Sequence, residues 1–202
     1  MGKLLLPNKP RINDAETDLL AKYIFGDKEE VVTLMFVRGY FSNTIGGPGN
    51  DFNRWDDAAI VREKGNLVKT FNANCDPSKL YRNLAQLKTG IYQFRKGRHR
   101  NRIDAFRAYP EGIRLPCKRQ NRRGVWYNSN CRYINIHDGG MKNTWSAGCL
   151  TIINVGKHGS RTRQFDEFRD LVYRLMDKHN QKLVTVALID NKEMSDILKG
   201  VK

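Results

Sequence analysis

Two β-type runs, Tyr133 to His137 and Cys149 to Asn154, constrain this chain more than any other feature. Only 11 residues separate His137 from Cys149, and glycines stand at both ends of that connection: Gly139 and Gly140 after the first run, Gly148 before the second. A connection so short and so rich in turn residues can fold back on itself. The two runs can then be neighbouring strands, with an imidazole beside a thiol.

The remaining elements are read from spacing. Arg11 to Phe25 is expected to be a helix, with Asn13 as N-cap, Glu16 three residues on, and Ile12, Leu19, Leu20, Tyr23 and Ile24 as its apolar stripe; Gly26 is its stop. Val31 to Phe41 reads as a strand. Asp57 to Glu63 and Leu67 to Phe71 read as a hairpin turned at Lys64-Gly65-Asn66. A short helix is expected over Ser78 to Leu87, then strands over Thr89 to Phe94 and Gly112 to Leu115, divided by the basic stretch Arg95 to Arg102. Thr162 to His179 has the clearest helical periodicity, through Phe165, Phe168, Leu171, Val172, Leu175 and Met176. Lys182 to Asp190 closes as a strand. The reading is a β-rich α+β fold in one domain, with an N-terminal helix in an extension over residues 1–30 and a long helix near the C-terminus.

The composition bounds partners rather than fold. The 202 residues carry a formal charge of +15, which favours nucleic acid, a membrane surface or an acidic wall polymer. Much of that charge lies in Arg95 to Arg102 and Lys118 to Arg123, beside the aromatics Tyr92, Phe94, Trp126 and Tyr127. Stacking on single-stranded bases is one use of such a pattern and a solvated face is the other; no nucleic-acid-binding motif accompanies it. Cys75, Cys117, Cys131 and Cys149 are widely spaced and read mostly as free thiols, with a Cys75–Cys117 bridge left open. The apolar run Leu4 to Leu6 is too short for a membrane span or a signal-peptide core. The expectation is synthesis in a cytosol, and delivery by other means for any action at the cell wall.

Chemistry concentrates at the glycine-flanked pair. A histidine that takes the thiol proton makes a thiolate–imidazolium pair suited to acyl transfer. Ser146-Ala147-Gly148 forms a tight turn before Cys149, whose N–H groups can face a developing oxyanion. The rival readings are a core histidine beside a turn-forming Asp138, a cysteine serving as a small apolar residue, and zinc held by His137, Cys149, Cys131 and His158. Those spacings match no usual structural zinc pattern, so neither metal nor cofactor is expected. Gly46 to Asn50 lacks the Lys-Ser/Thr of a phosphate loop and reads as a turn. Asp51, Asp56 and Asp57 read as turn and strand-edge residues, with a second acidic cluster as the alternative.

The pattern Ile136-His137-Asp138-Gly139-Gly140 followed by Ser146-Ala147-Gly148-Cys149 resembles the signature of the L,D-transpeptidase (YkuD-like) catalytic domain. It resembles most a bacteriophage branch, in which Asn-Ile-His-x-Gly-Gly precedes Ser-x-Gly-Cys-x-Thr-Ile. Weaker likeness runs through Arg38 to Phe41, Asn50-Asp51, Asp56 to Ala58, Phe71 to Ser78 and Leu87 to Tyr92, covering about residues 31–190. The resemblance implies an L,D-transpeptidase-like catalytic domain over residues 31–202, phage-encoded and acting on peptidoglycan stem peptides. Cys149 matches the nucleophile and His137 the general base, with Gly148 and Cys149 supplying oxyanion donors and Ser146 shaping the turn. Thr151 occupies the place of the family's arginine two residues after the cysteine, and Arg38 or Arg132 is expected to substitute for that arginine; Arg38, Arg132, Thr151, Gly139 and Gly140 are the expected substrate contacts. The His–Cys spacing is shorter than is typical of the family. Hydrolysis is favoured over transpeptidation, and a basic non-enzymatic protein binding nucleic acid or a host protein is the alternative.

Overall fold

A computed structural model describes residues 9–41, 52–78, 83–140, 143–154 and 164–200. In chain order these form α1 (Asp14–Phe25), a 3-10 turn (Gly26–Lys28), β1 (Val32–Arg38), β2 (Asp57–Glu63), β3 (Asn66–Asn74), β4 (Ala85–Leu87), β5 (Gly90–His99), β6 (Ile103–Ala108), β7 (Leu115–Gln120), β8 (Trp126–Cys131), β9 (Asn135–Asp138), β10 (Leu150–Ile152), α2 (Gln164–Lys178), β11 (Leu183–Asp190) and α3 (Asn191–Leu198). The loop Gly46 to Asn50, Asp51 and His158 lie outside the described residues.

Eight strands close into a barrel in the order β1-β11-β5-β6-β9-β10-β3-β2, and β4-β7-β8 form a separate three-stranded sheet. The protein is thus a strand-rich mixed α/β domain with three helices among the described residues. A barrel of eight strands has an interior just wide enough for side chains to fill. Here Val32, Leu34 and Phe36 of β1 meet Phe71, Phe94, Phe106, Ile136, Ile152 and Val186 from around the ring. The apolar stripe of α2 joins the same cluster, and Phe168 meets Phe36, Phe71 and Phe106 edge-on.

The alternate residues of the same strands face outwards under the other two helices. Met35, Val37, Ala58, Ile60, Ala187 and Ile189 pack beneath Leu20, Ala21 and Phe25 of α1 and Ile197 of α3. Both faces of β1 and β2 are therefore covered, and the first six residues of each strand are buried. The capping box expected at α1 is present, with Asn13 and Glu16 exchanging bonds. Its buried face is corrected: Leu19 and Tyr23 are exposed, and Thr17, Leu20, Ala21 and Phe25 face inwards. Arg62 of β2 is buried and donates to Thr17, Asp18 and Glu29, tying the helix to the barrel. No helix among the described residues is long and apolar enough to cross a membrane.

Four further expectations are corrected. The end of the helix expected over Ser78 to Leu87 is strand β4, whose pairing with β7 outweighs local propensity. Arg95 to His99 do not separate strands but extend β5 into a hairpin with β6; alternation hides them, because one face of that hairpin is wet. The strand expected over Gly112 to Leu115 begins only at Leu115. Cys117 and Cys131 form a disulfide joining β7 to β8, so only Cys75 and Cys149 are free.

Candidate active site

The expected neighbouring strands form as a parallel pair. β9 lies beside β10 with Ile136 against Leu150, His137 against Thr151 and Asp138 against Ile152. β10 is held on its other edge by β3 through Thr151–Asn74 and Ile152–Ala73. His137 is buried at the end of β9, and Cys149 is partly exposed one residue before β10. Ligating atoms of His137, Cys149 and His99 lie within 4.8 Å of one another.

The carbonyl of Asp138 is 2.6 Å from His137 Nδ1. That contact places a proton on Nδ1 and leaves Nε2 as the basic nitrogen. Burial alone would lower the histidine's pKa. The adjoining Asp138 and Cys149 outweigh it and push His137 up to about 10. For Cys149, burial acts to raise the pKa, and the charge and contact of His137, with help from Asn135, bring it below its ordinary value. The two shifts run in opposite directions, as a thiolate–imidazolium pair requires.

His99, on β5, is the member that sequence reading missed. Its ring stacks on His137 with centroids 4.3 Å apart and planes 14° from parallel. Asn135 Nδ2 lies 3.0 Å from His99 Nδ1 and 2.9 Å from the Tyr133 carbonyl. Burial and the neighbouring His137 push His99 down to about 4, so it is neutral when His137 is charged. It lies 38 positions before His137, inside a stretch read as charge, and only the β5-β6-β9 ladder brings it there.

The turn before Cys149 is fixed by Ser146. Its buried hydroxyl donates to the Cys149 carbonyl at 2.6 Å and accepts from the Gly148 N–H at 3.0 Å. The expected use of Gly148 N–H as an oxyanion donor therefore meets a competitor, because Ser146 Oγ already takes it. Gly148 itself sits at φ +155, where a Cβ would come 2.8 Å from Ala85 Cβ, so the turn requires glycine. Backbone bonds from Ser78 N–H to the Ser146 carbonyl and from Ala85 N–H to the Ala147 carbonyl anchor the turn to its surroundings.

The expected substrate contacts fall out differently. Arg38 has a side chain only 10% exposed and ion-pairs with buried Asp76 at 3.2 Å. It also donates to the carbonyls of Cys75 and Leu87. It is engaged internally. Asp57 accepts from the N–H groups of Gly39 and Cys75, and burial beside Asp76 and Asp56 pushes its pKa well up. Asp56 and Asp57 are therefore interior residues rather than strand-edge ones. Gly139 and Gly140 lie directly against the indoles of Trp55 and Trp145, where any side chain would overlap, so close packing accounts for both. Thr151 is fully buried, with no partner for Oγ1 among the described residues.

Arg132 is exposed and lines a cavity of about 460 Å3 with Arg114, Arg119, Ser129, Asn130 and Tyr133. The Tyr133 carbonyl is 3.9 Å from Cys149 Sγ. Of the four zinc ligands considered, Cys131 is bound in the disulfide. The described residues that could share a metal are His99, His137 and Cys149, and the parallel stacking of the two rings suits a charged–neutral pair better than convergent ligation. Compared with known proteins, the chain matches no family model, no curated protein and no solved structure.

Proposed function

We propose that this protein is a cysteine acyl-transfer enzyme of L,D-transpeptidase-like type acting on peptidoglycan stem peptides, with hydrolysis as its main outcome. The observation that carries the reading is the partly exposed Cys149 beside a buried His137 whose Nδ1 is committed to a backbone carbonyl. Structural cysteines do not need an oriented imidazole partner. In the proposed cycle His137 holds the thiol proton, and Cys149 Sγ attacks an amide carbonyl of the peptide. The tetrahedral oxyanion is met by the Cys149 N–H, since Gly148 N–H is held by Ser146. Collapse expels the amine, which takes its proton from His137, and water then cleaves the thioester with His137 as base.

The test is product identification. Bacterial sacculi incubated with the protein and with Cys149→Ala, followed by mass spectrometry of the muropeptides, should show new peptide ends only with the unmutated chain. Identical muropeptides from both, across several envelope types, would refute it. A second reading, a basic binding protein, is favoured by exposed Arg122 and Arg123 in the β7–β8 turn beside the half-exposed Tyr127. It predicts salt-sensitive binding to single-stranded nucleic acid that persists in Cys149→Ala.

A further inference from the structure

Three arginines share one cavity, and none of them meets a carboxylate among the described residues. Arg114, Arg119 and Arg132 line it with Ser129, Asn130 and Tyr133, whereas Arg38, Arg62, Arg95, Arg98, Arg107 and Arg169 each have an acidic partner. The β7–β8 ladder pairs Leu115 with Cys131, so its next step outwards sets Arg114 across from Arg132. Like charges facing one another across two strands repel. The disulfide between Cys117 and Cys131 fastens the strands immediately behind them, so the arginines cannot relieve the repulsion by parting the hairpin. An anion in the cavity would.

The chain leads from this cavity directly to the thiol. Tyr133 lines it, and the Tyr133 carbonyl lies 3.9 Å from Cys149 Sγ. A group filling the cavity therefore lies near the thiol, with Tyr133 between the two. Resting on the acyl-transfer reading above, the geometry points to Arg114, Arg119 and Arg132 as a subsite for free carboxylates carried by the peptide substrate. A peptide supplies carboxylates next to a scissile amide, while phosphate would have to come from a separate polymer. Arginine suits the task because its planar fork grips a carboxylate through two parallel bonds. Thr151, two residues after the cysteine, is uncharged and buried, so it offers nothing to a substrate carboxylate.

The test compares two alkylating reagents of similar size on the full chain. Iodoacetate is an anion and iodoacetamide is neutral; with each, the Cys149 thiolate displaces iodide to form a thioether. Cys75 is fully buried and leaves Cys149 as the reacting thiol. The ratio of iodoacetate to iodoacetamide rates should fall about fivefold to tenfold in the Arg114→Gln/Arg119→Gln/Arg132→Gln variant at low salt. It should also fall with added salt in the unmutated protein. Arg132→Gln alone should give an intermediate ratio, and Lys64→Gln, at the exposed β2–β3 turn, should leave it unchanged. In parallel, amidating the carboxylates of a stem peptide should raise KM for the unmutated protein and not for the triple variant. An unchanged ratio with iodoacetamide still fast would overturn the subsite and leave the acyl-transfer reading standing. Slow iodoacetamide reaction of the unmutated protein at neutral pH would overturn both.

Discussion

Removing the imidazole should deactivate Cys149 by an amount that the site's geometry sets. Raising His137 from 6.5 to about 10 corresponds to about 5 kcal/mol favouring the charged ring. Asp138 and Cys149 supply that preference, and in return His137 holds the thiol below its ordinary 9.0. In His137→Ala only burial and the Asn135 contacts remain on the thiol, and burial raises its pKa. A thiol ionising at 9 or above is about 1% thiolate at pH 7, so alkylation should slow, by at most about 100-fold relative to a fully ionised thiol. A more basic thiolate is intrinsically more nucleophilic, which returns part of that loss, so the slowing expected falls below that ceiling. The assay is the iodoacetamide rate against pH. For the unmutated protein it should rise as pH passes the lowered thiol pKa and stay level towards pH 10, where His137 gives up its proton. In the variant the rise should move to pH 9 or above. A variant reacting within a factor of two of the unmutated protein at pH 7, with the same melting temperature, would refute the coupled pair.

Three other outcomes are expected. Arg62→Ala should cost about 3–5 kcal/mol in urea unfolding, because it leaves Glu29 without its buried partner and unties α1 from β2. Ser146→Ala should cost about 1–3 kcal/mol, since the Cys149 carbonyl and Gly148 N–H each lose a partner; it should also lower kcat more than it raises KM in the sacculus-derived peptide assay. His99 has a folded pKa of about 4 against 6.5 unfolded, so its contribution to stability is present above pH 6.5 and lost as pH falls towards 4. Discounted for its half-exposed ring, His99→Gln should remove about 1 kcal/mol of the stability change across that window, read as a shallower pH dependence of the urea midpoint.

Local patterns were legible wherever neighbouring residues decide the outcome. The α1 capping box, the β2–β3 hairpin, the periodicity of α2 and the apolar run of β11 all rest on contacts within a few residues. The pairing of His137 with Cys149 was legible for the same reason, since glycines and a short connection confine the two strands. Long-range pairing was not. β4 and the outer half of β5 are strands because β7 and β6 supply their hydrogen-bond partners, and no residue within either segment specifies that.

The sequence by itself determined that a thiol and an imidazole would meet. The tertiary structure alone decided what surrounds them. Closure of the barrel brings β5 next to β6 and β6 next to β9, which lays His99 on His137. Closure also draws Arg38 inwards onto Asp76 and leaves Arg132 outside, beside two further arginines and a disulfide. Burial and like-charge contact depend on distances between segments far apart in the chain. Such distances follow from which strands pair, and pairing is settled by the whole barrel at once.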